Sequence, residues 1–414
     1  MKNNLHQGYL LTTLFFTSLG LNTTLQAEQL SKPQAGDFIP LQLGPVDRTT
    51  PLQNTSHEVV RFSWPAGNTV DSSLAGAAHI GKSHGYWWRV SASDLNKGIN
   101  LDTSKPGVLV RISALDGGAA INPNELELDD NRGRRFNSTE ALKHIVTAEK
   151  MVTAGTPFPR GTSSFRLAAA RGMGRFVLRA PGLKSSEKQY HVEVQEDGSD
   201  IILSLQSNAA RYSYGQSLTV DTRLVNGQGE VQLQSLTGSL RSPTGKSLPL
   251  NFQRKGRGSF SARLPSLQQF ATGTGLLEAQ VVAEGIVNGV MVRRNVKTVF
   301  AYSVPQARLT GKVTLSNSTA KKLNAVLDVE VANGGRYEVR GILYGMDKQG
   351  LQKPIMVSAT AAWLEAGNAD LKLEFDHTLL TSSNLTGPYE VRDLQLLDQS
   401  RMGMLHRQEK GFPF

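Results

Sequence analysis

The side chains best suited to acid–base or metal chemistry near neutral pH are eight histidines: His6, His57, His79, His84, His144, His191, His377 and His406. No two stand at the i, i+4 spacing with which a helix presents a zinc pair. His79 and His84 lie five apart in a glycine-rich stretch and read equally well as loop residues. The run Glu125, Glu127, Asp129, Asp130, Asn131 offers hard oxygen atoms at alternate positions, which suits calcium. Leu126 and Leu128 alternate with it, so it also reads as a half-exposed strand entering a turn, with Arg132, Arg134 and Arg135 placed to neutralise the acids. The sequence leaves the metal open. It has no Gly-x-Ser-x-Gly elbow and no glycine-rich phosphate loop ending in Lys-Ser/Thr, and GMGRF (172–176) is a lone glycine pair at a strand start. No catalytic residue and no cofactor is assigned.

Positive charge is more suggestive. Lys and Arg number 45 against 35 Asp and Glu, a net charge of +10. Arg254, Lys255 and Arg257 crowd one expected turn, Arg132, Arg134 and Arg135 another, and Arg293, Arg294 and Lys297 a third. Such clusters draw acidic partners through a field that salt screens. Outside the cytoplasm those partners are acidic polysaccharide, lipopolysaccharide or extracellular DNA; a purely solubilising surface has the same composition. Trp87 and Trp88 are adjacent in a strand-like run, so their rings face opposite sides. One ring is then free to stack on a sugar, unless the preceding segment covers it.

These residues need elements to hold them. Residues 1–27 read as a secretory signal peptide: Lys2, an apolar run from Leu10 to Leu21 broken by Thr and Ser, and Ala27 as the last residue before the cut. Losing Lys2 with it lowers the net charge from +10 to +9. The run is short for a bilayer, and no later segment reaches the length of a transmembrane span. There is no cysteine, so each domain of this exported chain, periplasmic or extracellular, rests on its own core.

With 40 glycines, 17 prolines and 7% aromatics, many turns and short strands are expected. Residues 28–75 are a Pro-rich lead-in, expected to lay at most one edge strand, from 58–65, on the first domain. A first β-sandwich occupies 76–205, with one helix near 138–154 that Asn137 and Glu140 cap and Leu142, Ile145, Ala148 and Val152 face inward. Residues 206–305 and 306–414 form two Ig-like sandwiches, marked by the period of two at Leu218, Val220, Thr222 and Leu224 and at Leu323, Ala325, Leu327, Val329 and Val331. The phrase Gly–x–aromatic–x–small/apolar–Arg occurs four times, as GRFVLRAP (174–181), GSFSARLP (258–265), GRYEVRGI (335–342) and GPYEVRDL (387–394). In a strand it turns the ring and the residue two later inward and the Arg outward. The fold class is therefore mainly β, three consecutive sandwiches.

GYWWRVSASDLNKGINL, FPRGTSSFRL, YSYGQSLTV with SPTGKSLPL, and GPYEVRDLQLLDQSRMGMLHR together resemble a bacterial exported family carried as domain of unknown function 4785. The resemblance spans most of residues 80–410 and implies Ig-like β-sandwich modules; it brings no catalytic residues. The second module also looks like the macroglobulin-like spacers of exported proteins, which suggests a protease-inhibitor-like role as one reading. The main expectation is a non-catalytic exported protein that binds an envelope or extracellular ligand, among them an envelope protein. The alternative is a polysaccharide- or peptide-cleaving hydrolase with its site in the first domain.

Overall fold

A computed structural model describes residues 24–48, 50–67, 78–115, 117–184, 186–270, 275–317 and 323–414. Residues 1–23, most of the stretch 1–27 expected to be a signal peptide, lie outside them. Strands dominate, as the alternation requires. Leu218, Val220, Thr222 and Leu224, and Leu323 through Val331 at every second position, are at most 7% exposed. Each fully buried aliphatic side chain contributes about 1.5–3 kcal/mol against leaving it in water. No helix among the described residues is long and apolar enough to cross a membrane.

In the first domain a five-stranded antiparallel sheet runs in the order Gly85–Ser91, Gln189–Gln195, Leu109–Ala114, Thr162–Leu167, Leu142–Val146. It packs on a sheet ordered Ile99–Thr103, Gly174–Arg179, Glu127–Asp129, Arg135–Asn137, and the core between them holds Tyr86, Ile112, Phe165, Leu178 and Val192. The second domain sets Phe252–Arg254, Ser259–Leu264, Leu218–Asn226, Ile202–Ser207 and Ile80–Ser83 against Arg211–Ser213, Val290–Ser303, Gly275–Val287, Leu233–Arg241 and Ser247–Pro249. The third faces a sheet of Thr24–Gln29, Ala307–Asn317, Leu323–Val331 and Gly367–Phe375 with one of Val60–Pro65, Gln352–Leu364, Gly335–Met346, Thr386–Asp398 and Gly403–Pro413.

The recurring phrase does what its spacing dictates. Phe176 and Tyr337 are core rings, Phe260 and Tyr389 pack at core margins, and Leu178, Ala262, Val339 and Val391 are buried behind them. Arg340 and Arg392 turn outward onto Glu338 and Glu390, each at 2.7 Å. Glycine is required at the head of the phrase for local reasons. Gly174 has φ +123°, and a Cβ on Gly258 would stand 2.5 Å from the Leu224 carbonyl oxygen.

The expected helix over 138–154 is two single turns with a strand between them. Asn137 does cap Ser138–Ala141: its Oδ1 accepts from the Glu140 N–H, and Glu140 Oε2 accepts from the Asn137 N–H, both at 3.1 Å. The chain then leaves the helix because Leu142–Val146 pairs with the edge of Thr162–Leu167, where β-branched Ile145 and Val146 are better placed. It coils again at Ala148–Thr153, burying Met151 and leaving Val152 51% exposed. The apolar spacing that suggested one face never forms one.

The lead-in also differs from expectation. It lays its strand on the third domain, not the first, and encircles it. Thr24–Gln29 pairs antiparallel with Ala307–Asn317, and the expected cut after Ala27 falls inside this strand. Phe38 exchanges two 2.8 Å backbone hydrogen bonds with Arg407 on the outer edge of Gly403–Pro413. Asp47 N–H donates to Gln306 Oε1 at 2.9 Å, and Gln53 N–H donates to the Ser400 carbonyl at 2.7 Å. The buried Arg336 guanidinium donates to the carbonyls of Ser56 and Glu58, at 3.0 and 2.5 Å. Val60–Pro65 finally pairs with Gln352–Leu364. A sequence rich in proline and short of donors suits this role of adding single strands to edges.

Under the lead-in, His406 is 2% exposed on Gly403–Pro413, opposite Leu396, and burial pushes its imidazole down to about 4. The unfolded chain takes up this proton near the ordinary value of about 6.5. The folded chain resists it, so the contribution is complete above that value and is lost as pH falls from there to about 4, roughly 3 kcal/mol by linkage. Melting temperature should fall across that window, and His406→Leu should flatten this limb of the curve. An unchanged slope in the variant would show that the acid sensitivity lies elsewhere.

The first and second domains meet along Val290–Ser303. Arg294 sits in the apolar phase of that strand, between Val292 and Val296, and both it and Glu196 are 0% exposed. Its Nη2 donates to Glu196 Oε2 at 2.6 Å, and its Nε and Nη1 donate to the carbonyls of Ile201 and Arg293 at 3.0 and 2.8 Å. The Ser104 N–H donates to Glu196 Oε1 at 2.8 Å, completing the carboxylate. Removing one partner strands a buried charge, so Glu196→Ala should lower stability by about 3–5 kcal/mol. Denaturant unfolding checks this; a loss near zero would mean that water reaches the joint.

Candidate functional site

The surface that gathers exposed cations is the solvent face of the second domain. Register aligns it: Lys82 lies opposite Ser204, Ser204 opposite Arg223, and Arg223 opposite Ser259, so these four form one row across four strands. Lys255 continues the row from the turn, its N–H held by the Ser259 carbonyl at 2.8 Å. Strands stand about 4.8 Å apart, so Lys82 and Arg223, two strands apart, are separated by roughly 10 Å. The row floors a groove of about 510 Å³ that also takes in Ile80, Gln206 and Asp221.

Arg223 is fixed from below. Its Nε donates to Ser259 Oγ at 3.1 Å and lies 3.5 Å from Glu230. The Ser259 hydroxyl and the Gly258 N–H hold the Glu230 carboxyl below its ordinary range. Lys82 and Lys255 are exposed and form no ion pair among the described residues. Asp221 is the one carboxylate lining the groove, against three cations. Arg254 is exposed at the end of the neighbouring strand, its guanidinium 5.3 Å from the centroid of the Phe260 ring, and Arg257 is exposed in the same turn. This ring is cladding for the core margin, roofed by a cation. Such an arrangement binds anionic groups on an extended ligand through exposed charges.

The other sequence candidates lie elsewhere. Arg134 pairs with Asp130 at 2.8 Å, and Arg135 with Asp129 and Glu127 at 3.0 and 3.3 Å; Arg132 points into solvent. Arg135 and Arg179 hold the Asp129 carboxyl below its usual range. Burial would raise Asp130, but the N–H groups of Arg134 and Arg132 and the Arg134 guanidinium outweigh it. Of the oxygens considered for calcium, those of Glu127, Asp129 and Asp130 are thus engaged by guanidiniums and Glu125 Oε1 accepts from Asn122 Nδ2 at 3.0 Å; no group of three or more metal-ligating side chains is found among the described residues.

Trp87 and Trp88 lie on adjacent strand positions, and side chains of the second domain stand beside both. Trp88 stacks on Tyr86 at 5.3 Å beneath Arg293, and Trp87 lies 5.8 Å from Lys297 Nζ while its carbonyl accepts from Asn295. Of the cluster Arg293, Arg294, Lys297, Arg294 is buried in the joint, while Arg293 and the exposed Lys297 lie at its margin, paired with Glu284 and Glu278. His79 and His84 point to separate partners, the Thr298 hydroxyl and the Ser199 carbonyl. Sequence reasoning missed Lys82 and Arg223. Lys82 is legible only once Ile80–Ser83 is seen to join the second-domain sheet; Arg223 was visible as an outward member of the alternation beginning at Leu218.

Fold and surface together define a multi-domain, mainly β protein of three sandwiches with a cationic groove on the central one. Sequence models of one family match it in series: the Domain of unknown function (DUF4785) N-terminal domain at residues 51–196, central domain at 199–303 and C-terminal domain at 306–413. The chain belongs to this family. The crystal structure of a DUF4785 family protein from Legionella pneumophila subsp. pneumophila is similar at 22% identity with a TM-score of 0.72, over 90% of this chain and 98% of that one, and shares the fold. The tetra-tandem repeat in the extending region of a large adhesion protein is similar at 13% identity and a TM-score of 0.22, over 81% of this chain and 74% of that one. Native E. coli alpha-2-macroglobulin is similar at 12% and 0.29, over 75% of this chain and 20% of that one. Neither score amounts to a shared fold. No curated protein matches the chain.

Because the folded Glu230 carboxyl is held low, its contribution is present above the ordinary carboxylate range and lost as pH falls through its lowered value. Glu230→Gln should therefore weaken the fall of melting temperature below about pH 4.5. Parallel acid limbs in wild type and variant would show that the turn is not anchored through this carboxylate.

Proposed function

We propose that this chain is an exported, non-catalytic binding protein whose central domain takes a linear acidic glycan, either a free polysaccharide or the glycan of lipopolysaccharide. The observation that carries the reading is the row Lys82–Ser204–Arg223–Ser259–Lys255, with a cation at about every second strand and hydroxyls between. A polymer lying across the strands meets a charge about every 10 Å and a hydrogen-bonding side chain in each gap. Export rests on the leader-like sequence of residues 1–27. In the first domain, which the hydrolase alternative would use, the perturbed carboxylates Asp129 and Asp130 are already paired.

The test is retention of residues 28–414 on immobilised acidic glycan, and separately on lipopolysaccharide, across a salt series. Retention should fall steeply with salt. Each of Lys82→Ala, Arg223→Ala and Lys255→Ala should weaken it by about two- to fivefold, the size of an exposed charge pair. Arg254→Ala and Arg257→Ala should weaken it less, and Lys143→Ala and Lys348→Ala not at all. Retention absent at low salt, or equally sensitive to the last two, would overturn the reading.

A further inference from the structure

We infer that the lead-in is a structural part of the third domain, a belt that closes its strand edges, so that the C-terminal sandwich is built from two separate pieces of chain. The described residues from Glu28 to Ala66 touch it near their two ends and in between, while the Ile39 carbonyl accepts from Gln216 of the second domain at 3.2 Å. Glu28 and Gln29, the part of Thr24–Gln29 that a cut after Ala27 leaves, pair with Val313 and Lys312 on the edge of Ala307–Asn317, and the Leu30 N–H donates to the Gly311 carbonyl at 2.8 Å. Ser31 and Phe38 tie to Gly411 and Arg407 on the edge of Gly403–Pro413. Val60–Pro65 covers the edge of Gln352–Leu364, and Ala66 N–H donates to the Ile355 carbonyl at 3.0 Å. Each of these edges would otherwise present a row of unpaired N–H and C=O groups, a template for strand addition by another chain.

Side chains of the third domain are spent on the belt as well. Arg336, 5% exposed, points its guanidinium at the belt carbonyls of Ser56 and Glu58. Ser400 Oγ donates to the Asn54 carbonyl at 2.6 Å, Asn333 Nδ2 to the Asp47 carbonyl at 2.7 Å and Gln408 Nε2 to the Ser31 carbonyl at 2.5 Å. His57 stacks on Trp363 at 4.2 Å. Without the belt these donors would lose their acceptors, and a buried guanidinium left without them is strongly destabilising. The sequence match for the C-terminal domain, 306–413, therefore omits a required piece, and that for the N-terminal domain, which starts at 51, includes part of it.

The test keeps the full chain and inserts a site-specific protease sequence between Gly67 and Ala78. After cutting, the N-terminal piece should co-elute with the remainder on gel filtration and leave only on denaturation. Loss of the piece together with exchange protection at Val339 and Leu343 would equally support the inference. Loss of the piece with that protection unchanged would overturn it. In the uncut chain, Arg336→Ala should speed hydrogen exchange and proteolysis selectively within residues 53–66, at least tenfold. Uniform acceleration throughout the third domain, or none, would count against the belt.

Discussion

One buried ion pair sets the geometry on which the surface depends. Arg294 and Glu196 meet directly at 2.6 Å between the first and second domains, and each guanidinium nitrogen and both carboxylate oxygens have protein partners. Such a pair is not a large net source of stability, because desolvating two charges offsets most of their attraction. What it supplies is a joint with one arrangement. Rotating one domain against the other would part the charges inside the protein, and that costs several kcal/mol. Arg293, Asn295 and Lys297, on the other face of the same strand, pack along the edge of Gly85–Ser91 and its paired tryptophans.

The same joint delivers Lys82. The chain passes from Ile80–Ser83, an edge strand of the second-domain sheet, directly into Gly85–Ser91 of the first domain. Gly81 permits this crossing, since a Cβ there would stand 2.1 Å from the Lys297 carbonyl oxygen. The cationic row is thus assembled, on one sheet, from chain that precedes the first domain and chain that follows it. At the far end the lead-in fastens to the third domain, so the segment before Ile80 is anchored one domain away from the sheet that the strand itself completes.

Strand patterning was legible because burial on one face imposes a period of two. Inner residues of the second and third sandwiches, and the four Gly–aromatic phrases, could be read directly. What could not be read was set by partners distant in sequence. Leu142–Val146 follows a genuine capping box at Asn137 and Glu140 and continues its helical spacing, yet the free edge of Thr162–Leu167 wins it. Val60–Pro65 pairs with residues about three hundred positions later, which no local pattern encodes. The basic turn Arg254, Lys255, Arg257 was visible as charge, whereas the row it extends appears only through sheet register. Arg294 carried a usable sign: an arginine in the apolar phase between Val292 and Val296 needs a buried acid.

Lysine footprinting of the full chain with and without bound acidic glycan tests the central claim most directly. The account predicts that Lys82 and Lys255 lose reactivity together on binding while Lys143, Lys348 and Lys410 keep theirs. Protection confined to lysines of the first or third domain, with Lys82 and Lys255 unchanged, would contradict it.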